Sequence, residues 1–124
     1  MAVTDIAPPN SLLLIMDRSI GQPPESMAGE IAASTSTCVA IGTRSEHDGT
    51  THVTLDDGHR TFAVGTPCFD GVLETPSRRL AVCSVIEEVF LEADVMTERT
   101  RVRVSVNDPT EPREVYIIIS AFEG

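Results

Sequence analysis

The residues able to do chemistry are concentrated in residues 37–65 of this 124-residue chain. This stretch holds all three histidines and three acids beside them: His47, His52, His59, Asp48, Asp56 and Asp57. Imidazole and carboxylate groups are ligands of zinc and other transition metals. A hairpin with its turn at Gly58 would place Asp56 opposite His59, about 13 Å along the strand from His52. Two imidazoles that far apart cannot share an ion with bonds of about 2 Å, so we predict no metal ion and no cofactor.

Two adjacent acid pairs and one cysteine are the remaining candidates for catalysis. The pairs are Asp56-Asp57 and Glu87-Glu88, and adjacent residues of a strand point to opposite faces, which does not favour an acid–base dyad. Cys68 falls on a predicted loop, where a nucleophilic thiolate would need a basic partner. The sequence places no such partner beside it and contains no phosphate-binding or nucleophile-elbow motif. We therefore predict no catalytic residue.

Short apolar or alternating runs, bounded by turn residues, predict the strands that position these side chains. Strands are expected at residues 11–16, 38–41, 50–55, 60–64, 79–86, 85–96, 100–106 and 115–120. Two pairs of them are predicted to form hairpins, 50–55 with 60–64 and 100–106 with 115–120. Residues 85–96 also show helical spacing, but their β-branched residues favour a strand.

The segments between these strands predict few other elements. Residues 1–10, with Pro8-Pro9, predict a flexible or extended N-terminal arm, and residues 25–33 about two helical turns. Residues 66–77, interrupted by prolines and a glycine, predict an irregular connection. The fold class is therefore all-β: a small antiparallel β-sandwich, or a partly open barrel, of about eight short strands and at most one short helix. Residues 11–124 form the single domain.

The composition restricts the partners that this domain can have. Acids outnumber bases by 19 to 9, every base is arginine, and the net charge is -10. Phosphate backbones and anionic membranes require a cationic surface, so nucleic acid and membrane partners are not expected, whereas a basic protein is. The three cysteines do not form the even-numbered pattern of a disulfide-bonded protein, and the N-terminus has no apolar run like that of a signal peptide. Both features indicate the cytoplasm. Exposed strand edges also allow a homodimer.

The order of the segments along the chain is informative. A strand SLLLIMD comes first, CVAIGTRSEHDGTTHVTL follows, then RRLAVCSVIEEVFLEADV, and VYIIIS closes the series. This order resembles that of the competence protein J family of DNA-entry nuclease inhibitors. Members open with a short strand ending in Asp and carry a valine followed by a Gly-Thr pair and a further glycine, matched here by Val39, Gly42, Thr43 and Gly49. The resemblance implies a β-sandwich that acts by binding a protein, with a nuclease as the candidate.

These observations favour a non-catalytic, acidic protein-interaction module that is nuclease-inhibitor-like or immunity-like. Its candidate contact surface consists of Arg44, Glu46, His47, Asp48, Asp56 and Asp57. The alternative is a small enzyme, or a ligand- or metal-binding sandwich, that uses Cys68 or the region of His47, His52 and His59.

Overall fold

The protein is all-β, as predicted, in a computed structural model that describes residues 2–58 and 65–122. Its strands are β1 (Ala2–Ile6), β2 (Leu12–Met16), β3 (Ala32–Ser34), β4 (Cys38–Gly42), β5 (Thr51–Asp57), β6 (Thr66–Glu74), β7 (Arg79–Cys83), β8 (Val89–Asp94), β9 (Arg99–Val106) and β10 (Glu114–Ala121). Single turns of 3-10 helix lie at Pro9–Ser11 and Glu46–Asp48. No helix in the described ranges is long and apolar enough to span a membrane.

The strands form two five-stranded sheets. The order is β1-β5-β10-β9-β6 in the first sheet and β3-β4-β2-β7-β8 in the second. Between described strands, β5 and β10 pair in parallel, with Val115 opposite Val53, and the other pairs are antiparallel. The predicted antiparallel β-sandwich is thus confirmed, and this one parallel pair is added to it. Parallel strands are joined by a long crossover connection, so no local turn in the sequence indicates that they pair.

The inner faces of the two sheets enclose the core. Alternation along β9 points Val102, Val104 and Val106 inward, where they meet Leu13 and Ile15 of the second sheet; these five side chains are buried. Each buried aliphatic side chain of this size contributes about 1.5–3 kcal/mol, so a core without tryptophan is sufficient. A smaller cluster lies apart from this core and contains Leu14, Met16, Cys38, Ala40 and Cys83.

Two local predictions are confirmed. The predicted hairpin of residues 100–106 with 115–120 is present as the antiparallel pair of β9 and β10, with Val104 opposite Ile117. Residues 85–96 contain the strand β8, which pairs with β7, and no helix.

One segment adds a strand to the prediction, and two segments differ from it. The first residues, predicted as a flexible or extended arm, contain β1, which pairs with β5 as part of the first sheet. Residues 25–33 form no helical turn; Ala28 and Gly29 have positive φ, and β3 begins at Ala32. The predicted irregular connection contains β6, the longest strand described. Pro67 is tolerated there because β6 lies at a sheet edge and has a bulge between Pro67 and Phe69.

The predicted hairpin partner of β5, residues 60–64, lies outside the described residues. Within the described chain, β5 has β1 on one side and β10 on the other. Val53 and Leu55 of β5 are buried in the core.

Candidate functional site

The connections that follow β4, β7 and β9 lie at the same end of the sandwich. Pairing of Leu12 with Gly42 and of Leu14 with Cys83 puts the ends of β4 and β7 at the start of β2. In the first sheet, the starts of β5 and β10 lie beside the end of β9. The connections that follow β4, β7 and β9 are residues 43–50, 84–88 and 107–113, and we call the surface that they form the acidic loop end.

The acidic loop end has an excess of negative charge. Six carboxylate groups and two guanidinium groups belong to it: Glu46, Asp48, Glu87, Glu88, Asp108, Glu111, Arg44 and Arg113. Most of these side chains are exposed to solvent. A surface of this composition has a negative electrostatic potential, which attracts cationic groups and repels anionic ones.

Hydrogen bonds fix the conformation of residues 43–50. The Arg44 side chain folds back across the connection, and its Nε donates to the Thr50 carbonyl at 2.9 Å. Ser45 Oγ accepts the backbone N–H of His47 at 3.2 Å and so caps the 3-10 turn. Gly49 has φ of 123°, and a Cβ there would lie 2.6 Å from Arg44 Nη2. Glycine is therefore required for the Arg44 side chain to lie across this connection.

Side chains also fix the conformation of residues 107–113. Asn107 Oδ1 accepts the backbone N–H groups of Arg113 at 3.0 Å and Glu114 at 2.9 Å. Asp108 Oδ1 accepts both the backbone N–H and the hydroxyl of Thr110, each at 2.8 Å. The backbone hydrogen bond from Thr110, followed by that from its hydroxyl, lowers the pKa of Asp108. Asp108 is therefore charged at neutral pH.

A polar cleft of about 480 Å³ lies between these two connections. Its lining residues are Arg44, Asp48, Asn107, Asp108, Glu111 and Arg113. The backbone N–H of Arg44 donates to the Pro112 carbonyl at 2.8 Å and joins the two walls. The cleft therefore presents carboxylates and guanidiniums on two walls whose backbones are joined, and such groups form charge-assisted hydrogen bonds.

The candidate contact residues of the sequence analysis divide into two groups. Arg44, Glu46, His47 and Asp48 lie together on the acidic loop end. Asp56 and Asp57 lie at the far end of β5, about 20 Å from Thr51 at the usual rise per residue. Asp56 is buried, and its carboxylate accepts the Tyr116 hydroxyl at 2.9 Å, whereas Asp57 is exposed. The six residues thus do not form one surface.

The two described histidines lie on different elements. His52 Nδ1 lies 2.9 Å from the Asp5 carboxylate on the neighbouring strand β1. His47 lies in the 3-10 turn of the acidic loop end, and His59 is outside the described residues. Within residues 2–58 and 65–122, no group of three His, Cys, Asp or Glu side chains is arranged to hold a metal ion.

The cysteine thiols are protected by burial. Cys68 lies on β6 and is half-buried, and this burial raises its pKa to about 11. Burial, together with the nearby Cys83, raises the pKa of Cys38 to about 12. Thiols of this kind are almost entirely protonated at neutral pH, which does not favour a nucleophilic role.

Sequence reasoning missed the second wall of the cleft. Asn107, Asp108, Glu111 and Arg113 lie in the loop of the predicted hairpin of residues 100–106 with 115–120 and were not candidate contact residues. Their position depends on the parallel pairing of β5 with β10, which brings residues 107–113 beside residues 43–50. The Asn-Asp-Pro turn before β10 was the local signal, but it gives no information on its neighbours.

The fold and this end of the molecule define a two-sheet β-sandwich with a polar, acidic cleft formed by its loops. No family model matches the sequence, and no curated protein matches it either. The structure is similar to the crystal structure of ComJ, inhibitor of the DNA degrading activity of NucA, from Bacillus subtilis. The TM-score is 0.71 at 5% identity, and the match covers 98% of this chain and 96% of that chain. The resemblance to the competence protein J family is thus confirmed at the level of the fold.

Proposed function

We propose that this protein binds a DNA-degrading nuclease and inhibits it, with the acidic loop end as its contact surface. The observation that carries the proposal is the structural likeness to ComJ over 98% of the chain. ComJ is described as an inhibitor of a DNA-degrading activity.

The charge distribution supports this proposal physically. A nuclease that holds DNA must present cationic groups to the phosphate backbone. The acidic loop end offers six carboxylates to such a surface. Hydrogen bonds hold both walls of its cleft in place, so little conformational entropy is lost on binding. Opposite charges would also steer the two proteins together at low salt.

A titration of nuclease activity tests the proposal directly. Two sources of nuclease are each mixed with increasing amounts of this protein. One is purified NucA. The other is the DNA-degrading fraction that the immobilised protein retains from a lysate of the cells that make it. The proposal predicts that at least one of the two DNA-cleaving activities falls to zero near a one-to-one ratio. If the column retains no DNA-degrading activity and neither source is inhibited, the proposal is refuted.

A matched pair of variants tests the contact surface. Asp48→Asn with Glu111→Gln removes two charges from the cleft, and Glu74→Gln with Glu98→Gln removes two exposed charges from the opposite end of the sandwich. We expect the first variant to associate about five- to tenfold more slowly at low salt, because surface charges act mainly on the association rate. The difference should shrink at about 0.5 M salt. Equal effects of the two variants would show that the contact lies elsewhere.

A further inference from the structure

The turn between β7 and β8, residues 84–88, has a fixed conformation. Ser84 is fully buried, and its backbone N–H donates to the Glu88 carbonyl at 2.8 Å. Its Oγ accepts the backbone N–H groups of Ile86 at 3.2 Å and Glu88 at 3.1 Å. The backbone N–H of Glu87 donates to the Ser84 carbonyl at 3.1 Å. One buried serine therefore determines the shape of the whole turn.

This turn presents two aliphatic side chains to solvent. Ile86 is 65% exposed and Val89, the first residue of β8, is 40% exposed. Glu87 and Glu88 stand between them and are exposed too. Covering an exposed isoleucine with protein is favourable, and a turn that is already ordered loses little entropy in the process. The arrangement of an apolar contact bordered by charges is typical of the energetically important centre of a protein interface.

The turn lies within reach of the polar cleft. Strands β4 and β7 are separated in the second sheet by β2 alone, so the connections that follow them start about 10 Å apart. A protein interface of standard size covers about 800 Å² on each partner. One partner can therefore contact the cleft and the turn at the same time.

We propose that Ile86, with Val89, inserts into an apolar pocket on the surface of a basic protein, while Glu87 and Glu88 face cationic groups around that pocket. The net charge of -10 and the two flanking carboxylates select a basic partner over an acidic one. The inference rests on the proposed function only for the identity of that partner as a nuclease.

Photocrosslinking tests the contact and captures the partner in the same experiment. The amino acid p-benzoylphenylalanine replaces Ile86 in one variant and Met96 in a control, and cells that make each variant are irradiated. Met96 is 83% exposed and follows β8 at the opposite end of the sandwich. We expect an adduct with a protein of positive net charge from position 86 and not from position 96. No adduct, an acidic partner, or the same adduct from both positions would overturn the inference.

Affinity for the crosslinked protein provides the second measurement. Ile86→Ser should weaken binding at least tenfold, whereas Met96→Ser should leave it unchanged, with thermal melts confirming that both variants fold. An unchanged affinity for Ile86→Ser would refute the apolar contact even if the nuclease is inhibited. A basic partner without nuclease activity that shows the tenfold loss would support the contact and refute the proposed function.

Discussion

Asp17, which ends the first strand of the second sheet, is expected to stabilise the fold through its charge. It is 1% exposed. Its Oδ1 accepts the backbone N–H and the hydroxyl of Ser19, at 2.9 and 2.7 Å, and its Oδ2 accepts the backbone N–H of Ser77 at 2.7 Å. The last bond links the end of β2 to the turn between β6 and β7.

The substitution Asp17→Asn keeps the size of the side chain and removes its charge. An amide has only one acceptor oxygen, so its NH₂ group must face the backbone N–H of either Ser19 or Ser77. Hydrogen bonds to charged groups contribute about 1.5–3 kcal/mol each, and the Ser19 groups can bind water instead. We therefore expect a loss of about 2 kcal/mol, which corresponds to a decrease in Tm of about 8 °C for a chain of this length.

The effect should depend on pH in a defined direction. Burial acts to raise the pKa of Asp17, but hydrogen bonds from Ser19 and Ser77 outweigh it, and the pKa lies below its ordinary value. The folded state thus binds this proton less readily than the unfolded state. The stabilisation is complete above about pH 4, the pKa of an unfolded aspartate, and is lost as the pH falls through the lower folded pKa.

Urea unfolding at pH 7 and at about pH 3, followed by circular dichroism, measures both effects. Asp48→Asn makes the same chemical change on the exposed acidic loop end and should cost less than about 0.5 kcal/mol. If the two variants have the same stability at pH 7, the carboxylate of Asp17 does not hold the turn. The role of the charge would be refuted if the difference in free energy of unfolding between Asp17→Asn and the unmodified protein were as large at the lower pH as at pH 7.

Three further predictions concern other parts of the fold. Gly49→Ala should cost about 1–3 kcal/mol in urea unfolding, because this backbone conformation favours glycine and the new Cβ meets Arg44; an unchanged midpoint would contradict that contact. Cys68 should react with a disulfide reagent at pH 8 much more slowly than after unfolding in urea, since burial raises its pKa; reaction as fast as that of free cysteine would show an accessible thiolate. Deletion of Ala2–Ile6 exposes the hydrogen-bonding edge of β5 and should cause self-association in sedimentation velocity; a monomer of unchanged stability would mean that β1 is dispensable.

The elements that were predicted correctly from the sequence are those determined by a local pattern of apolar and polar residues. Alternation of Val102, Val104 and Val106 and a short loop are enough to predict β9 and its hairpin with β10. The pairing of β5 with β1 and β10 depends on contacts between segments far apart in the chain, and no local pattern contains that information. The presence of Pro67 and Gly71 in β6 led to the prediction of a loop. Proline is tolerated at a sheet edge, but the edge position of β6 cannot be recognised in the sequence.

The candidate site was predicted in part for the same reason. Residues 43–50 were recognised from their own polar residues, whereas residues 107–113 join them only through the order of strands in the first sheet. Asp56 was placed just after the predicted strand 50–55 and beside a turn at Gly58, because aspartate and glycine are common near turns. In the structure β5 continues to Asp57, and a hydrogen bond from Tyr116 satisfies the buried carboxylate of Asp56. Only the fold reveals that partner.

The position of β10 in the first sheet has a consequence for biosynthesis. β10 lies between β5 and β9 and is the strand that joins them. During translation β1 can pair with β5, and β6 with β9, before β10 has left the ribosome. Until then, each of these two pairs presents an unpaired, apolar edge to the other chains in the cell. The nascent protein is therefore most prone to aggregation just before β10 is added, and a chaperone that covers these edges would increase the yield of folded protein.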